Sequence, residues 1–358
     1  MAELLKNSFN EEFLTKLCSA IKKEYELFDE RKFMSFIEES DFWNKELKDR
    51  ARQITQGLAL YLPNEYERSL MIIKKIAPQF PGLTGMIFPD FVLYRGVDSF
   101  ELSVSALKEL TQYFSSEFAI RSFIKKDPTR MVSILKQWAT DEDHHVRRLA
   151  SEGCRPRLPW AEILEDFKNN PTPILPILEI LKEDESDFVR KSVANNLNDI
   201  SKDHPRLALD LAKKWYGKKD KTDWIVRHGC RTLLKKGNVE ALRLFGFNKT
   251  NASIQHLSLS SSNIAIGEEL EATFQLINLK EEKLRIEYMI EFVKANQKLS
   301  HKIFKLSEKV YKKGTHPLTL KHSFKDLSTR KHYPGKHHLH IIVNGEEKKN
   351  IEFTLNQT

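Results

Sequence analysis

Up to about residue 247 the apolar positions of this chain keep a helical period, and from about residue 250 they keep a strand period. In the first stretch apolar residues recur at i, i+3 and i+4, and most runs stop at proline or glycine. The pattern predicts helices over 10–28, 30–38, 44–61, 64–78, 99–113, 116–125, 128–139, 143–153, 173–182, 187–200, 205–216, 223–236 and 238–245. The later helices fall into pairs. Each pair's second helix opens with an aspartate ahead of valine-arginine: Asp143 before Val146-Arg147, Asp187 before Val189-Arg190, and Asp223 before Val226-Arg227. The three arginines are 43 and 37 residues apart, the period of a two-helix repeat. The aspartate is placed to cap the helix amides, and the valine to enter the core between repeats.

In the second stretch, Ile254–Leu259, Glu269–Leu276, Leu284–Phe292, Thr315–Phe324, His337–Val343 and Asn350–Leu355 are short and rich in β-branched and aromatic residues. Ser261-Ser262-Asn263, Ile266-Gly267-Glu268 and Pro334-Gly335 are turn signals, and Asn344-Gly345 is a hairpin signal. The fold class that follows is multidomain, α then β. A HEAT-like α-helical solenoid over residues 1–248 precedes an immunoglobulin-like β-sandwich over 249–358.

Charge sharpens the division. The chain has 58 Lys and Arg against 50 Asp and Glu, +8 in all, and residues 251–358 hold 17 against 12, or +5 of it. Such an excess permits a polyanionic partner without requiring one. Eight of the twelve histidines also lie in that tail. Strand alternation puts His338 and His340 on one face, but no neighbouring carboxylate or cysteine pattern completes a ligand set. Neither a metal nor a cofactor is therefore expected. Cys18, Cys154 and Cys230 have no ligand spacing and read as reduced thiols. No run of 18 apolar residues occurs, and Glu3 and Lys6 flank only a short apolar patch, so neither a membrane span nor a signal peptide is expected. The expected location is the cytosol.

The candidate chemistry lies in residues 143–160. Four arginines fall within eleven positions, with a glutamate and a tryptophan, closed by Pro156 and Pro159. On a helix from 143, Arg148 and Glu152 share a face. Arg147 belongs to the repeat rule and reads as an interhelix tie, whereas Arg148 is extra to it. Arg155 and Arg157 flank a proline and point to opposite sides of an extended stretch. Forked guanidinium groups suit phosphate, although a solvated basic turn fits equally well. Trp160 is placed either to staple two repeats or to offer its π face to a cation. Trp224 has the same alternatives, with Arg227, His228 and Arg231 on the following turns. One repeat earlier, capping by Ser115 or Ser116 puts Glu117 in a first helical turn. There it serves the helix dipole or lines the face shared with the arginines. Asn195-Asn196-Leu197-Asn198-Asp199 is poor helix interior and points to a lined groove.

Taken together these segments resemble the AlkC branch of the AlkD-like DNA glycosylases. The resemblance is carried by Phe88-Pro89-Asp90-Phe91-Val92, Phe100-Glu101-Leu102-Ser103, Ser116-Glu117-Phe118-Ala119-Ile120-Arg121, and Asn195-Asn196-Leu197-Asn198-Asp199. Its longest element is His145-Val146-Arg147-Arg148-Leu149-Ala150-Ser151-Glu152-Gly153 followed by Arg155-Pro156-Arg157-Leu158-Pro159-Trp160. It implies a HEAT-like enzyme that hydrolyses the N-glycosidic bond of cationic N3-methylated bases, 3-methylcytosine and 3-methyladenine, in duplex DNA. Base excision repair of alkylation damage would then proceed without lyase chemistry and without extruding the lesion, unlike most base-modifying enzymes. By motif, Glu117, Glu152, Trp160 and Asp199 form the implied catalytic set. Arg148, Arg155, Arg157, Arg190, Arg227 and Arg231 form the implied DNA-binding set. The β-sandwich becomes a DNA clamp, with double-stranded DNA as the partner, no obligate protein partner, and a place at the nucleoid when bound. The rival reading is a non-enzymatic HEAT-repeat scaffold for protein partners.

Overall fold

The computed structural model describes residues 5–39, 41–327 and 330–357. Residues 1–4, including the Glu3 used above, lie outside them. The chain divides into two compact units, one of residues 1–204 with 215–229, the other of residues 205–214 with 230–358. Helices come first and strands second, as the change of period predicts.

In the first unit the helix His144–Gly153 packs on Asp187–Asp203, which packs on Asp220–Gly229. Val146, Leu149, Val189, Val193, Ile225 and Val226 are buried along these contacts. The repeat aspartates do not all cap. Asp143 does, accepting from the His145 amide at 2.8 Å. Asp187 and Asp223 instead fall inside their helices. The repeat arginines have a shared task that the spacing only hinted at. Arg147 Nη1 donates to the carbonyls of Asp141 and Glu142, and Arg190 Nη1 does the same to Asp184 and Glu185. Each locks the turn between the two helices of its own repeat. Arg147 also forks onto Asp184 of the next repeat at 2.6 and 3.0 Å.

The short helix Glu165–Asn169 lies outside the predicted spans, and two further segments depart from the pattern. Ile87–Gly96 was not predicted, because Pro89 sits inside an unbroken apolar run; proline is tolerated in a first turn, where no amide bond is lost. The stretch 223–236 is broken at Cys230 into Asp220–Gly229 and Arg231–Lys235.

Among its described residues the second unit carries eight strands: β1 (Ser253–Leu259), β2 (Asn263–Ala265), β3 (Glu269–Asn278), β4 (Glu282–Val293), β5 (Leu299–Tyr311), β6 (Gly314–Ser323), β7 (Gly335–Val343) and β8 (Glu346–Asn356). They form two sheets, β1-β3-β6 and β2-β8-β7-β4-β5. Inward residues alternate along the strands, and Leu270, Leu276, Ile286, Ile290, Leu339 and Leu355 are fully buried. Asn344 and Gly345 both take positive φ at the β7–β8 turn, as a two-residue hairpin requires. β5 escaped prediction because it is a lysine-rich edge strand without clean alternation, the form that discourages edge pairing.

Candidate active site

Glu117 lies in the turn 116–119, ahead of a helix that begins only at Ile120, one turn later than the sequence suggests. Ser116 is not its cap. That hydroxyl is buried and donates to the Leu107 carbonyl at 2.7 Å, pinning the turn to the preceding helix. Ser115 turns the other way and donates to Glu117 Oε2 at 2.8 Å.

Arg148 completes the arrangement. Its Nη1 donates to Ser115 Oγ at 2.6 Å and to Glu117 Oε2 at 2.5 Å, and its Nη2 lies 3.4 Å from Glu152 Oε1. Its guanidinium also stacks 4.7 Å from the Phe188 ring centroid. The same Glu152 oxygen accepts from Arg155 Nη1 at 2.7 Å, while Arg155 Nε donates to Asp199 Oδ2 at 2.8 Å and Lys202 reaches Asp199 Oδ1 at 2.8 Å. Charges thus alternate along Glu117, Arg148, Glu152, Arg155, Asp199 and Lys202. Burial deepens along the row: the Glu117 side chain is 14% exposed, that of Glu152 6%, and that of Asp199 not at all. An internal row of this kind holds because each charge has an opposite neighbour. Glu117 is its most accessible carboxylate.

The loop after Gly153 is clamped from below by Arg121. This buried side chain donates to the carbonyls of Gly153 (3.1 Å), Arg155 (2.8 Å) and Glu162 (2.6 Å). Burial pulls its pKa down to about 10, which still leaves it charged at neutral pH. Gly153 permits the close approach, since a Cβ there would stand 2.7 Å from Ile120 Cγ2. The loop then carries Trp160 in a left-handed conformation, φ 63°, with its indole 79% exposed. Lys48 donates to the Trp160 carbonyl at 2.7 Å and sits 4.8 Å from the Phe118 ring centroid. Lys48, Arg52, Ser115, Phe118, Lys125 and Trp160 line a cavity of about 430 Å³. Of the two readings left open for Trp160, a staple in the core is excluded by this exposure.

The remaining sequence-predicted residues are placed as follows. Arg155 is 6% exposed and shared between two carboxylates, so its guanidinium is turned inward. Arg157 forks onto Asp203 with two bonds of 2.6 Å. Arg190 closes its own repeat turn and pairs with Asp187. Arg227 lies 3.5 Å from the Tyr216 hydroxyl, and Arg231 opens a short helix of the other unit. Arg148, Arg155, Arg157 and Arg190 are thus each paired with carboxylates, and Arg190 with carbonyls as well. Trp224 stacks on His228 at 5.2 Å. Asn196, Asn198 and Asp199 are buried, with Asn196 Nδ2 donating to the Ser151 carbonyl at 2.9 Å, so the asparagine run makes an internal polar seam in place of the expected open groove. Asp143, His144 and His145 gather three possible ligand atoms within 4.8 Å, but Asp143 is already committed as a helix cap. The three thiols are buried, and burial pushes each up to about 12. Lys48 was missed at the sequence level, and Arg121, though within a quoted motif, gave no sign of its clamp. An arginine beside Ile120, Phe123 and Ile124 on a buried face was the available signal.

The profile of the family described as DNA alkylation repair enzyme matches residues 113–234, and that of the C-terminal Ig-like domain of uncharacterised protein YhaZ matches residues 253–357. Helical-repeat alkylation-repair protein with an immunoglobulin-like tail is the class that fold and site define. The chain is 45% identical to uncharacterized protein YhaZ of Bacillus subtilis (strain 168), over 98% of this chain and 99% of that one. It superposes at a TM-score of 0.95, with 36% identity, on the alkylpurine DNA glycosylase AlkC of Pseudomonas fluorescens bound to DNA containing an abasic site analog, covering 99% of this chain and 100% of that one. The chain belongs to the AlkC branch of the DNA alkylation repair family.

Proposed function

We propose that this protein is a monofunctional DNA glycosylase that removes N3-methylated bases, 3-methylcytosine and 3-methyladenine, from duplex DNA. N3-methylation makes the base a cation, which leaves as a neutral group and so needs no strong general acid. Positive charge then develops on the deoxyribose, which becomes oxocarbenium-like. Glu117 is the carboxylate offered to it. Ser115 and Arg148 both bind Oε2, which fixes the carboxylate plane and leaves Oε1 outside that set of bonds. Oε1 stabilises the sugar cation and orients the attacking water. Trp160, exposed on the loop that Arg121 and Lys48 hold, contributes a π face to the cationic base.

Asp199, Glu152 and Arg155 act in this reading as positioning residues behind Arg148. The observation that carries the proposal is that Glu117 is the one partly exposed carboxylate of the row, Glu152 and Asp199 being buried. In this reading the lesion is not extruded, because Glu117 acts on the deoxyribose and not on the base. Residues 249–358 serve as a DNA-clamping domain.

The decisive experiment is release of free methylated base from duplex DNA treated with a methylating agent. We expect 3-methyladenine and 3-methylcytosine from the parent protein and neither from Glu117→Gln. Absence of any released base from the parent would leave the scaffold reading.

A further inference from the structure

The outer face of the five-stranded sheet carries a row of side chains that the DNA chemistry does not use. Register sets it up: His338 of β7 lies opposite Glu291 of β4 on one side and Glu352 of β8 on the other. His340 is two residues along β7 and so points to the same face. His338 Nδ1 lies 3.5 Å and His340 Nε2 3.7 Å from one atom, Glu291 Oε2. Both nitrogens are shut off from solvent and make no hydrogen bond. The far nitrogen of each ring faces a further carboxylate: His340 Nδ1 is 3.0 Å from Glu347 Oε2, and His338 Nε2 is 3.5 Å from Glu352 Oε2. Asn350 steadies one of these by donating to Glu347 Oε1 at 2.7 Å.

These carboxylates escape sequence reading because they come from strands β4 and β8, not from the His-Leu-His segment itself. Their arrival reverses the expectation that the two histidines lack acidic partners.

We propose that His338, His340 and Glu291 form a binding site for a divalent transition metal of zinc type. Two imidazoles and one carboxylate are the donor set such ions take, with a fourth position left to water. The spacing agrees. Ligand bonds of about 2.0–2.1 Å in a tetrahedron put neighbouring donors about 3.4 Å apart, close to the 3.5 and 3.7 Å found between each imidazole and Glu291. These distances are too long for hydrogen bonds. The ring centroids stand 6.1 Å apart, wider than one tetrahedral ion spans, so binding requires both imidazoles to rotate toward each other. Glu347 and Glu352 lie on the side of each ring where carboxylates stand behind metal-bound histidines, and rotation of the rings onto the ion is expected to bring the far nitrogens into line with them. The ion ties β4 to β7, and through the outer carboxylates to β8.

The test uses the full chain with Co²⁺ and Zn²⁺ alone as probes. We expect one Co²⁺ per chain with the visible absorption of a tetrahedral ion, displaced by Zn²⁺. Zinc at one hundred times its Kd should raise the midpoint of thermal unfolding by about 5 °C. His338→Gln/His340→Gln should abolish both effects while its metal-free melting stays that of the parent. Glu347→Gln should weaken affinity about 10–100-fold without abolishing it, and keeps the test valid if the double variant does not fold. A parent protein without the tetrahedral spectrum would overturn the proposal. So would a double variant that binds Co²⁺ like the parent, since the ion would then sit elsewhere, as at Asp143–His145.

Discussion

Arg148 holds Glu117 at 2.5 Å across two successive helical repeats, with Ser115 bridging them at 2.6 and 2.8 Å. The carboxylate is thereby kept in one orientation before any substrate arrives. Preorganisation of this sort removes the reorganisation that a free glutamate would undergo as charge develops nearby.

Glu117→Gln keeps the shape and loses the charge. Excision of 3-methyladenine should fall about 10²–10³-fold in single-turnover assays, corresponding to about 2.7–4 kcal/mol of barrier. Duplex binding, followed by fluorescence anisotropy, should change little. A variant as fast as the parent would remove Glu117 from the reaction.

Arg155 and Asp199 test a different quantity. Their pair is internal, with Asp199 fully buried, and Asp199→Asn leaves the Arg155 guanidinium short of one carboxylate. Loss of one partner of such a pair costs about 3–5 kcal/mol, read as a drop in the thermal or urea midpoint of the helical unit. Unchanged stability would mean that Arg155 finds solvent or another acceptor.

Salt dependence separates phosphate contacts from internal ones. Lys48 is exposed at the mouth of the 430 Å³ cavity. Lys48→Ala should lower the slope of log K against log salt by about one unit. Arg155→Ala should leave that slope alone, because its charge is already spent on Glu152 and Asp199. Reversed results would exchange the two roles.

Trypsin reports on the loop. Arg157 is followed by Leu158, a susceptible bond, whereas the bond after Arg155 is protected by Pro156. Arg121→Met removes three carbonyl anchors of this loop. Cleavage after Arg157 should accelerate at least tenfold under native conditions, followed by mass spectrometry. Equal rates would mean that the Arg157–Asp203 fork alone holds the loop.

Acid should loosen the β domain before the helices. Burial lowers His322 from 6.5 to about 4, and His332 and His337 are lowered too, again chiefly by burial. As pH falls below about 6.5 the unfolded chain takes up protons that the folded one refuses. Stability is therefore full above pH 6.5 and declines toward pH 4, on the order of 3 kcal/mol for His322 alone. The melting midpoint of the domain should be flat from pH 7 to 8 and fall below 6.5. His322→Leu should flatten that descent, and a midpoint independent of pH would contradict the burial argument.

Much of the architecture was legible because it is written in local spacing. The period of Val146, Val189 and Val226, the Asp143 cap and the Asn344-Gly345 turn each follow from a few neighbouring residues. The partners of the arginines were not legible. Asp184, Asp199 and Asp203 lie a full repeat away from Arg147, Arg155 and Arg157, and only stacking of the helices shows that they neutralise them. A row of arginines therefore reads as a polyanion grip in one dimension and is largely an internal framework in three. Glu117 emerged from motif resemblance, while its fixed orientation depends on Ser115, which the sequence suggested only as a cap.

The three inward thiols bear on how such a protein survives its own working conditions. Methylating electrophiles react with thiolate sulfur far faster than with thiol, and Cys18, Cys154 and Cys230 stay protonated behind closed packing. A repair protein built this way offers the reagent that scars the genome no accessible thiolate of its own.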